Sequence, residues 1–333
     1  MIGATETYRR VAAPPTPVND CEFAPQGRCA YRCSVPSAPL PVRDGLNPTR
    51  LRLPADSGCA TVLEHLITRF PEDAERLREK VAAAEVVDGS GVPITPETRY
   101  RAHTFVYLYR DPAREPRVPF EVDVLHRDED LLVVDKPHFL ASTPRGRHVV
   151  ESALVRLRRD LDLPDLTPAH RLDRVTAGVL LFTIRPQVRR AYQELFAQRS
   201  VTKEYEAVAG FDPRLTMPTI VRSRIVKPEG ELRCVEVAGE PNAETVIELI
   251  EAGDRHARYR LLPRTGKMHQ LRVHLNSLGV PIVGDNFYPT LRDVAPEDYS
   301  NPLQLLARSL SFVDPITGEA RTFTSRRRLA AEI

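Results

Sequence analysis

The chain has 333 residues, 42% of them hydrophobic, which is enough for one large or two modest folded domains. Its 47 Lys and Arg residues nearly balance its 45 Asp and Glu residues, so the net charge of +2 does not by itself indicate a nucleic-acid-binding protein. No apolar run reaches membrane-spanning length, and residues 1–30 lack the apolar core of a signal peptide. We therefore expect a cytoplasmic protein with no membrane contact, whose five cysteines are free thiols.

Residues 1–45 are rich in proline and small polar residues and show no periodicity, so we predict a disordered tail. Cys21, Cys29 and Cys33 lie in this tail, but their spacing is not the paired CxxC of a structural zinc site. A metal site here would need Cys59 as a further ligand, and we predict none.

A small module is predicted over residues 50–110. Apolar side chains at helical spacing predict one helix near residues 62–70, and a second helix is expected over 72–84. The turn signal Asp88–Gly91 and the strand-like run 105–109 complete the module. The module has four basic side chains of interest, Arg69, Arg76, Arg78 and Lys80. They permit two interpretations, an RNA-binding surface or the ordinary charged surface of a structural domain.

Residues 111–118 contain two prolines and are predicted to be a linker, followed by a single domain over 118–328. Alternation at residues 120–124 and an apolar run at 131–134 predict strands, and residues 186–199 form an amphipathic helix with Pro186 in its first turn. Strands and helices follow each other without a strict βαβ rhythm. This order favours an α+β fold with a mixed, mostly antiparallel sheet and peripheral helices.

The segment AHRLDRVTAGVLLFTIRP, residues 169–186, sets Asp173 among His170, Arg171 and Arg174, directly before a predicted strand at 179–184. The surrounding residues 141–203 hold twelve Lys and Arg against six Asp and Glu, a net charge of +6. A local basic field of this kind attracts phosphates. The segment therefore indicates an RNA-facing carboxylate, with a surface turn held by local ion pairs as the alternative.

Residues 201–210 are predicted to form a strand in which Lys203 and Tyr205 share one face. An aromatic ring in such a position can stack on a base, at about 1–3 kcal/mol per base. The alternative is that Tyr205 is an ordinary half-buried strand residue.

Leu271, Leu275 and Leu278 predict a helix that ends before Gly279. On it, His269 and Arg272 are three residues apart and are expected to be neighbours. The sequence has no HExxH metal motif and no Cys/His pairing, so we predict no catalytic metal. It also has no P-loop and no GxSxG elbow.

Three blocks of the chain together resemble the RluA-type family of pseudouridine synthases. They are HRLDRVTAG with its following strand, the KxY strand, and TGKMHQLRVHLNSLGVPIVGDNFY. The likeness includes DEDLLVVDKP (128–137) and LQLLARSLSFVDP (303–315), and it spans residues 120–325. The small module is similar, more weakly, to an RNA-binding module that often precedes such domains. The resemblance implies that the chain isomerises a uridine within RNA, without cofactor or metal, by breaking the N1–C1′ bond and joining C5 to C1′.

Carried over from that family, Asp173 matches the essential aspartate, Arg272 the arginine paired with it, and Tyr205 the tyrosine that packs against the target base. Arg171 matches a residue that takes the place of the everted base in the RNA stack. Together with Arg171, further basic side chains are expected to bind RNA; they are His170, Arg174, Lys203, Lys267 and His269.

Three positions depart from the family pattern. Ala177 replaces a serine, Lys267 replaces an arginine and so loses its bidentate fork, and residues 138–149 differ from the usual form. The change at Ala177 should be tolerated, and the departure at residues 138–149 bears on the RNA target rather than on the chemistry.

The sequence thus predicts a monomeric RNA pseudouridine synthase acting on structured RNA, with ribosomal RNA favoured over transfer RNA. One alternative is a non-catalytic RNA-binding protein on the same fold, and another is a metal-free hydrolase that uses Asp173 and His170.

Overall fold

The protein is described here by a computed structural model covering residues 38–295 and 297–333. Within these residues, no helix is both long enough and apolar enough to cross a membrane. The helices are α1 (Val62–Arg69), α2 (Ala74–Ala82), α3 (Ala153–Asp160), α4 (Arg189–Ala197) and α5 (Gln270–Ser277). The strands are β1 (Thr49–Arg52), β2 (Val86–Asp88), β3 (Phe105–Leu108), β4 (Asp123–Arg127), β5 (Leu131–Lys136), β6 (Thr167–Pro168), β7 (Ala177–Thr183), β8 (Thr202–Gly210), β9 (Thr219–Val226), β10 (Val235–Val237), β11 (Ala243–Ala252), β12 (His256–Pro263), β13 (Leu305–Val313) and β14 (Ala320–Thr324).

The small module packs α1 and α2 on an antiparallel sheet of order β1-β3-β2. A capping box starts α1, because the Thr61 hydroxyl accepts the Glu64 N–H (3.1 Å) and the Glu64 carboxylate accepts the Ala60 N–H (2.7 Å). Both predicted helices are present, the second as a 3₁₀ turn at Pro71–Asp73 followed by α2. The sequence did not predict β1, which is only four residues long.

Only residues 38–45 of the predicted tail belong to the described part of the chain. Residues 1–37, with Cys21, Cys29 and Cys33, lie outside the described part of the chain. Residues 38–45 pack instead on the small module, where the Tyr109 hydroxyl donates to the Pro41 carbonyl (2.6 Å) and the Arg43 guanidinium lies over the Tyr109 ring. The prolines that suggested disorder here belong to a short irregular segment that is held by these contacts.

The linker at residues 111–118 has no helix or strand, but specific contacts hold it at both ends. Asp111 accepts a hydrogen bond from Arg76 (2.7 Å) on α2. The Glu115 carboxylate accepts three backbone N–H groups of residues 149–151, at 2.8 to 3.0 Å. The segment is therefore attached to both the small module and the domain that follows.

The rest of the chain is built on an eleven-stranded sheet with the order β10-β9-β11-β12-β8-β13-β7-β5-β4, to which β14 adds beside β13 and β6 beside β7. All its pairings are antiparallel except β7 with β13. Both faces of β5 and β7 are buried, α3 covering one face and α4 the other. The fold is α+β with a mixed, mostly antiparallel sheet, as the sequence predicts.

The predicted strand at residues 120–124 begins later than expected. Phe120 and Val122 pack against the core, but β4 starts only at Asp123, and Val124 is exposed. The alternation there reflects core packing before the strand rather than the strand itself.

Gly178 permits the one parallel pairing of the sheet. It pairs with Ala307 and has φ +114°, in the region that favours glycine. A Cβ at this position would lie 2.2 Å from the Ala307 carbonyl oxygen. The glycine that follows the RLDRVTA motif is therefore needed to bring β13 against β7, next to the loop that carries Asp173.

Candidate active site

The loop between β6 and β7 presents Asp173 and is fixed on both sides of this residue. The Ser142 hydroxyl accepts the Leu172 N–H (3.0 Å) and donates to the Leu172 carbonyl (2.7 Å), and the Thr176 N–H donates to the Asp173 carbonyl (3.1 Å). Backbone groups satisfied in this way resist local rearrangement. The Asp173 side chain, 30% exposed, thus points from a fixed backbone.

A buried lysine supports the same loop from below. Lys136, at the end of β5, is fully buried and donates to the carbonyl oxygens of Pro137 (2.9 Å), Leu140 (2.8 Å) and Arg174 (3.3 Å). Burial lowers the pKa of its ammonium well below the usual value, while the negative charge of Asp173 acts in the opposite direction. Lys136 thereby ties the segment 137–140 to the loop next to Asp173.

Arg272 lies between two carboxylates. Its side chain is only 2% exposed, and it donates to Asp285 in a bidentate pair, at 2.7 Å from Nε and 2.6 Å from Nη2. Its remaining Nη1 lies 3.6 Å from the Asp173 carboxylate. The expected Arg272–Asp173 ion pair is present, but it is the longer of the two contacts, and Asp285 is the partner that compensates the buried charge.

Asp285 is itself held by the backbone of the following turn. One of its carboxylate oxygens accepts the N–H groups of Phe287 (2.8 Å) and Tyr288 (3.2 Å), whose rings lie over the guanidinium of Arg272. Burial alone would lower the pKa of Arg272, but the contact with Asp285 raises it overall. Arg272 is therefore a permanent cation whose orientation is fixed before any substrate arrives.

A cavity of about 110 Å³, called the Asp173 cavity below, brings the predicted residues together. The three residues predicted to be catalytic all line it, namely Asp173, Tyr205 and Arg272. Other lining residues are Arg171, Lys203, Lys267, His269 and the buried Gln270. Burial, and secondarily the charge of Asp173, raises the pKa of the Tyr205 phenol, so this group keeps its proton at neutral pH. The cavity thus combines an acid, a fixed cation and a neutral phenol.

His269 reaches the cavity from a position that the sequence did not predict. It precedes α5 with φ +57°, in the left-handed region, rather than lying on the helix beside Arg272. Its Nε2 is 3.9 Å from the Asp173 carboxylate and its Nδ1 is 3.1 Å from the Tyr288 hydroxyl. Burial lowers the pKa of His269, although Asp173 opposes this shift.

The basic side chains predicted to bind RNA occupy different environments. Arg171 and Lys267 are exposed at the cavity, whereas the Lys203 ammonium donates to the Thr265 carbonyl (2.9 Å) and its pKa is lowered by burial. Arg174 donates to the Phe139 carbonyl (3.3 Å) on the side of the loop that Lys136 supports. Arg171 and Lys267 are consequently the two that are most available to a phosphate.

His170 has a structural environment rather than the charged one expected of an RNA contact. Its ring stacks on Phe196 of α4 with 4.5 Å between centroids, and its Nε2 accepts the Leu181 N–H (3.2 Å) from β7. Burial lowers its pKa to about 3, so the ring is neutral at pH 7. The sequence placed it correctly near Asp173 but could not show that its neighbours are apolar.

The sequence reasoning missed three residues that organise the site, namely Lys136, Ser142 and Asp285. Each acts through contacts with residues distant in the chain, so no local spacing marks it. A weak signal existed for Lys136, because a lysine at the end of a strand that begins with four apolar residues needs buried acceptors. Among the described residues, no group of three or more His, Cys, Asp or Glu side chains is arranged to hold a metal ion.

Comparison with known proteins places this geometry in a family. A family model described as RNA pseudouridylate synthase matches residues 130–277. The dual-specificity RNA pseudouridine synthase RluA of Escherichia coli strain K12 is 35% identical over 216 residues, covering 62% of this chain and 94% of that protein. RluA of Haemophilus influenzae is 31% identical over 216 residues, covering 63% and 95%.

Among solved structures, human RNA Pseudouridylate Synthase Domain Containing 1 is 25% identical, with a TM-score of 0.52 and coverage of 64% of this chain and 86% of that one. The region of likeness contains the loop of Asp173, the strand of Tyr205 and the helix of Arg272. The chain therefore belongs to the RluA-type family of RNA pseudouridine synthases, which are isomerases that act on RNA.

Proposed function

We propose that this protein converts a specific uridine of a structured RNA to pseudouridine, with Asp173 as the catalytic group. The observation that carries the proposal is the position of its carboxylate, which is accessible in a cavity shared with Tyr205 and lies 3.6 Å from the buried cation of Arg272. The positive charge of a fixed guanidinium stabilises the negative charge that a carboxylate needs to act as a nucleophile or a base.

In the reaction, the N1–C1′ bond breaks, the uracil rotates, C5 bonds to C1′ and loses its proton, and N1 takes up a proton. Two roles of Asp173 are consistent with this balance, namely attack on C1′ with later release, and removal and return of a sugar proton. Both use the same carboxylate. Tyr205 supplies a flat ring beside the base and a protonated phenol that can exchange a hydrogen bond with it.

The target uridine must leave its stack to reach Asp173, and eversion costs a few kcal/mol. Arg171 is exposed at the cavity and carries a flat cation that can occupy the vacated position in the RNA. The small volume of the Asp173 cavity suits one everted base rather than a stretch of helix.

For the substrate, we favour ribosomal RNA, with transfer RNA as the second candidate. Two parts with their own sheets, the small module and the large sheet, suit a large structured RNA. The Escherichia coli relative is named a dual-specificity enzyme, which makes both RNAs necessary tests. We further propose that the protein acts in the cytoplasm as a monomer without membrane contact.

The decisive experiment incubates the purified full chain with ribosomal and transfer RNA transcripts and locates pseudouridine by mass spectrometry. We expect Asp173→Asn to abolish pseudouridine formation while RNA affinity stays nearly unchanged. Asp165→Asn is the matched control, since Asp165 pairs with Arg189 at the surface outside the cavity, and it should keep full activity. An active Asp173→Asn would refute the assignment, and a native chain that binds RNA without isomerising it would favour the non-catalytic alternative.

A further inference from the structure

The small module contains a pocket of about 490 Å³, larger than the Asp173 cavity. It lies between the end of β1, the end of α1 and the turn before β3, and it is called the small-module pocket below. The pocket is lined by Arg52, Pro54, Ala55, His65, Arg69 and His103. Its volume falls in the range of roughly 300–1,000 Å³ typical of ligand sites, and none of these six lining residues is acidic.

The basic residues of the module divide into two groups. On α2, Arg76 donates to Asp111 (2.7 Å) and Glu79 (2.9 Å), and Lys80 donates to Asp111 (2.9 Å), so these charges are already compensated. In contrast, no carboxylate of a described residue lies within salt-bridge distance of Arg52 or Arg69. Arg52 and Arg69 flank the pocket and carry charge that no described carboxylate compensates, in contrast to Arg76 and Lys80 on α2.

The pocket also contains an unsatisfied polar atom. His65 is 7% exposed, its Nδ1 lies 2.6 Å from the Ser57 hydroxyl, and its Nε2 is buried without a hydrogen-bond partner among the described residues. Leaving a buried polar group unpaired costs about 1–3 kcal/mol. A ligand that reaches this nitrogen would remove that cost.

The opposite wall of the pocket has an unusual backbone. His103 has φ +63°, and this conformation is held because its N–H donates to the Leu53 carbonyl (2.8 Å). Its Nδ1 is 3.0 Å from Nη2 of Arg52. Left-handed backbone at a non-glycine residue costs about 1–3 kcal/mol and is concentrated at ligand sites.

We propose that the small-module pocket binds a backbone phosphate of the RNA substrate, outside the target uridine. Arg52 and Arg69 would hold the phosphate through guanidinium hydrogen bonds, and Pro54 and Ala55 would pack against the adjoining sugar or base. Both arginines are exposed, which suits a strand that passes over the pocket. This inference rests on the proposed function, because it takes RNA as the substrate.

The test measures binding of the full chain to a short single-stranded RNA without uridine, which cannot place a target base beside Asp173. In the double variant Arg52→Ala/Arg69→Ala, affinity should fall at least about tenfold. The slope of log affinity against log salt should flatten by roughly 0.7 for each phosphate that the variant no longer neutralises. The matched control Arg76→Ala/Arg78→Ala removes the same charge from α2 of the same module and should change affinity less than about twofold.

Three further measurements make the inference falsifiable. His65→Phe keeps a ring against Tyr100 and loses only the ring nitrogens, so it should weaken binding by a few-fold. In a titration with ribosomal RNA as the substrate, the double arginine variant should raise KM and leave kcat unchanged. The inference would be overturned if the pocket variant and the α2 variant lowered RNA affinity equally. It would also be overturned if adenosine monophosphate bound the pocket as tightly as the oligonucleotide does.

Failure of the proposed function would look different. A native chain that forms no pseudouridine in either RNA would refute the catalytic assignment, while the uridine-free titration would still report on the pocket. Conversely, an active enzyme whose affinity ignores Arg52 and Arg69 would refute the pocket alone.

Discussion

In the Asp173 cavity, the Arg272 guanidinium is almost fully buried and is fixed by two hydrogen bonds to Asp285. In the small-module pocket, Arg52 and Arg69 stay exposed, and no described residue compensates their charge. This difference in burial and charge compensation matches the two roles that we assign to these sites, catalysis and RNA binding. A reacting centre needs charges whose orientation is set in advance, whereas a phosphate contact needs only available cations, because the phosphate supplies the compensating charge.

The largest expected effect comes from breaking the buried pair. Asp285→Asn leaves the Arg272 charge uncompensated at 2% exposure, so we expect a loss of about 3–5 kcal/mol of unfolding free energy and nearly all activity. Urea denaturation and single-turnover kinetics measure these two quantities. Arg52→Ala removes an exposed charge and should leave the unfolding free energy unchanged; similar losses in both variants would break the comparison.

A second test compares glycines of the two regions. Gly178→Ala would place Cβ 2.2 Å from the Ala307 carbonyl oxygen at a left-handed φ, so we expect about 2–4 kcal/mol of destabilisation. Gly89 in the small module has no heavy atom within 4 Å of the point that a Cβ would occupy, and Gly89→Ala should be nearly neutral. Thermal melts of both variants measure the difference, and a tolerant Gly178 would contradict the role given to the β7–β13 pairing.

Tyr205→Phe separates the ring from the phenol. The ring should still pack in the cavity, but loss of the hydroxyl should slow pseudouridine formation by about 10²-fold without changing RNA affinity. Rapid-quench assays at saturating RNA measure this rate. Tyr107→Phe in the small module is the control, and an unimpaired Tyr205→Phe would restrict Tyr205 to packing.

We expect the unfolding free energy to fall at low pH because of His274. Its ring anchors α5, with Nδ1 2.9 Å from the Thr245 hydroxyl and Nε2 3.1 Å from the Ser223 hydroxyl. Burial lowers its pKa to about 4, so the unfolded chain takes up this proton first as the pH falls. The stability it contributes is complete above pH 6.5 and is lost as the pH falls toward 4, by about 2 kcal/mol at pH 5. Urea unfolding from pH 7 to 4 measures the loss, and His274→Gln should flatten it; an equally steep loss in this variant would point elsewhere.

The smallest expected effect belongs to Arg171→Ala. Since Arg171 is exposed, its loss should slow base eversion by on the order of tenfold, equivalent to about 1.4 kcal/mol, and weaken RNA binding less. Stopped-flow fluorescence of a base analogue beside the target uridine follows eversion. An unchanged eversion rate would leave Arg171 as a phosphate contact, like the arginines of the small-module pocket.

The sequence predicted the members of the Asp173 cavity better than their contacts. The family resemblance named Asp173, Tyr205 and Arg272, which line one cavity, and periodicity predicted the strand of Tyr205 and the helix of Arg272. The resemblance also paired Arg272 with Asp173 but did not indicate Asp285, since an ion pair depends on how the chain turns after α5. It also assigned His170 to RNA, because residue type shows a titratable ring but not the aromatic neighbour that covers it.

The central position of β13 has a consequence for synthesis of the chain. This strand lies between β7 and β8, so the strand next to Asp173 and the strand that bears Tyr205 meet only through residues 305–313. A ribosome-bound chain that has emerged as far as residue 300 carries every group of the reaction but lacks the strand that joins the two parts of the sheet. The enzyme can therefore acquire activity only after residues 305–313 have been synthesised, when this later segment inserts between two earlier ones.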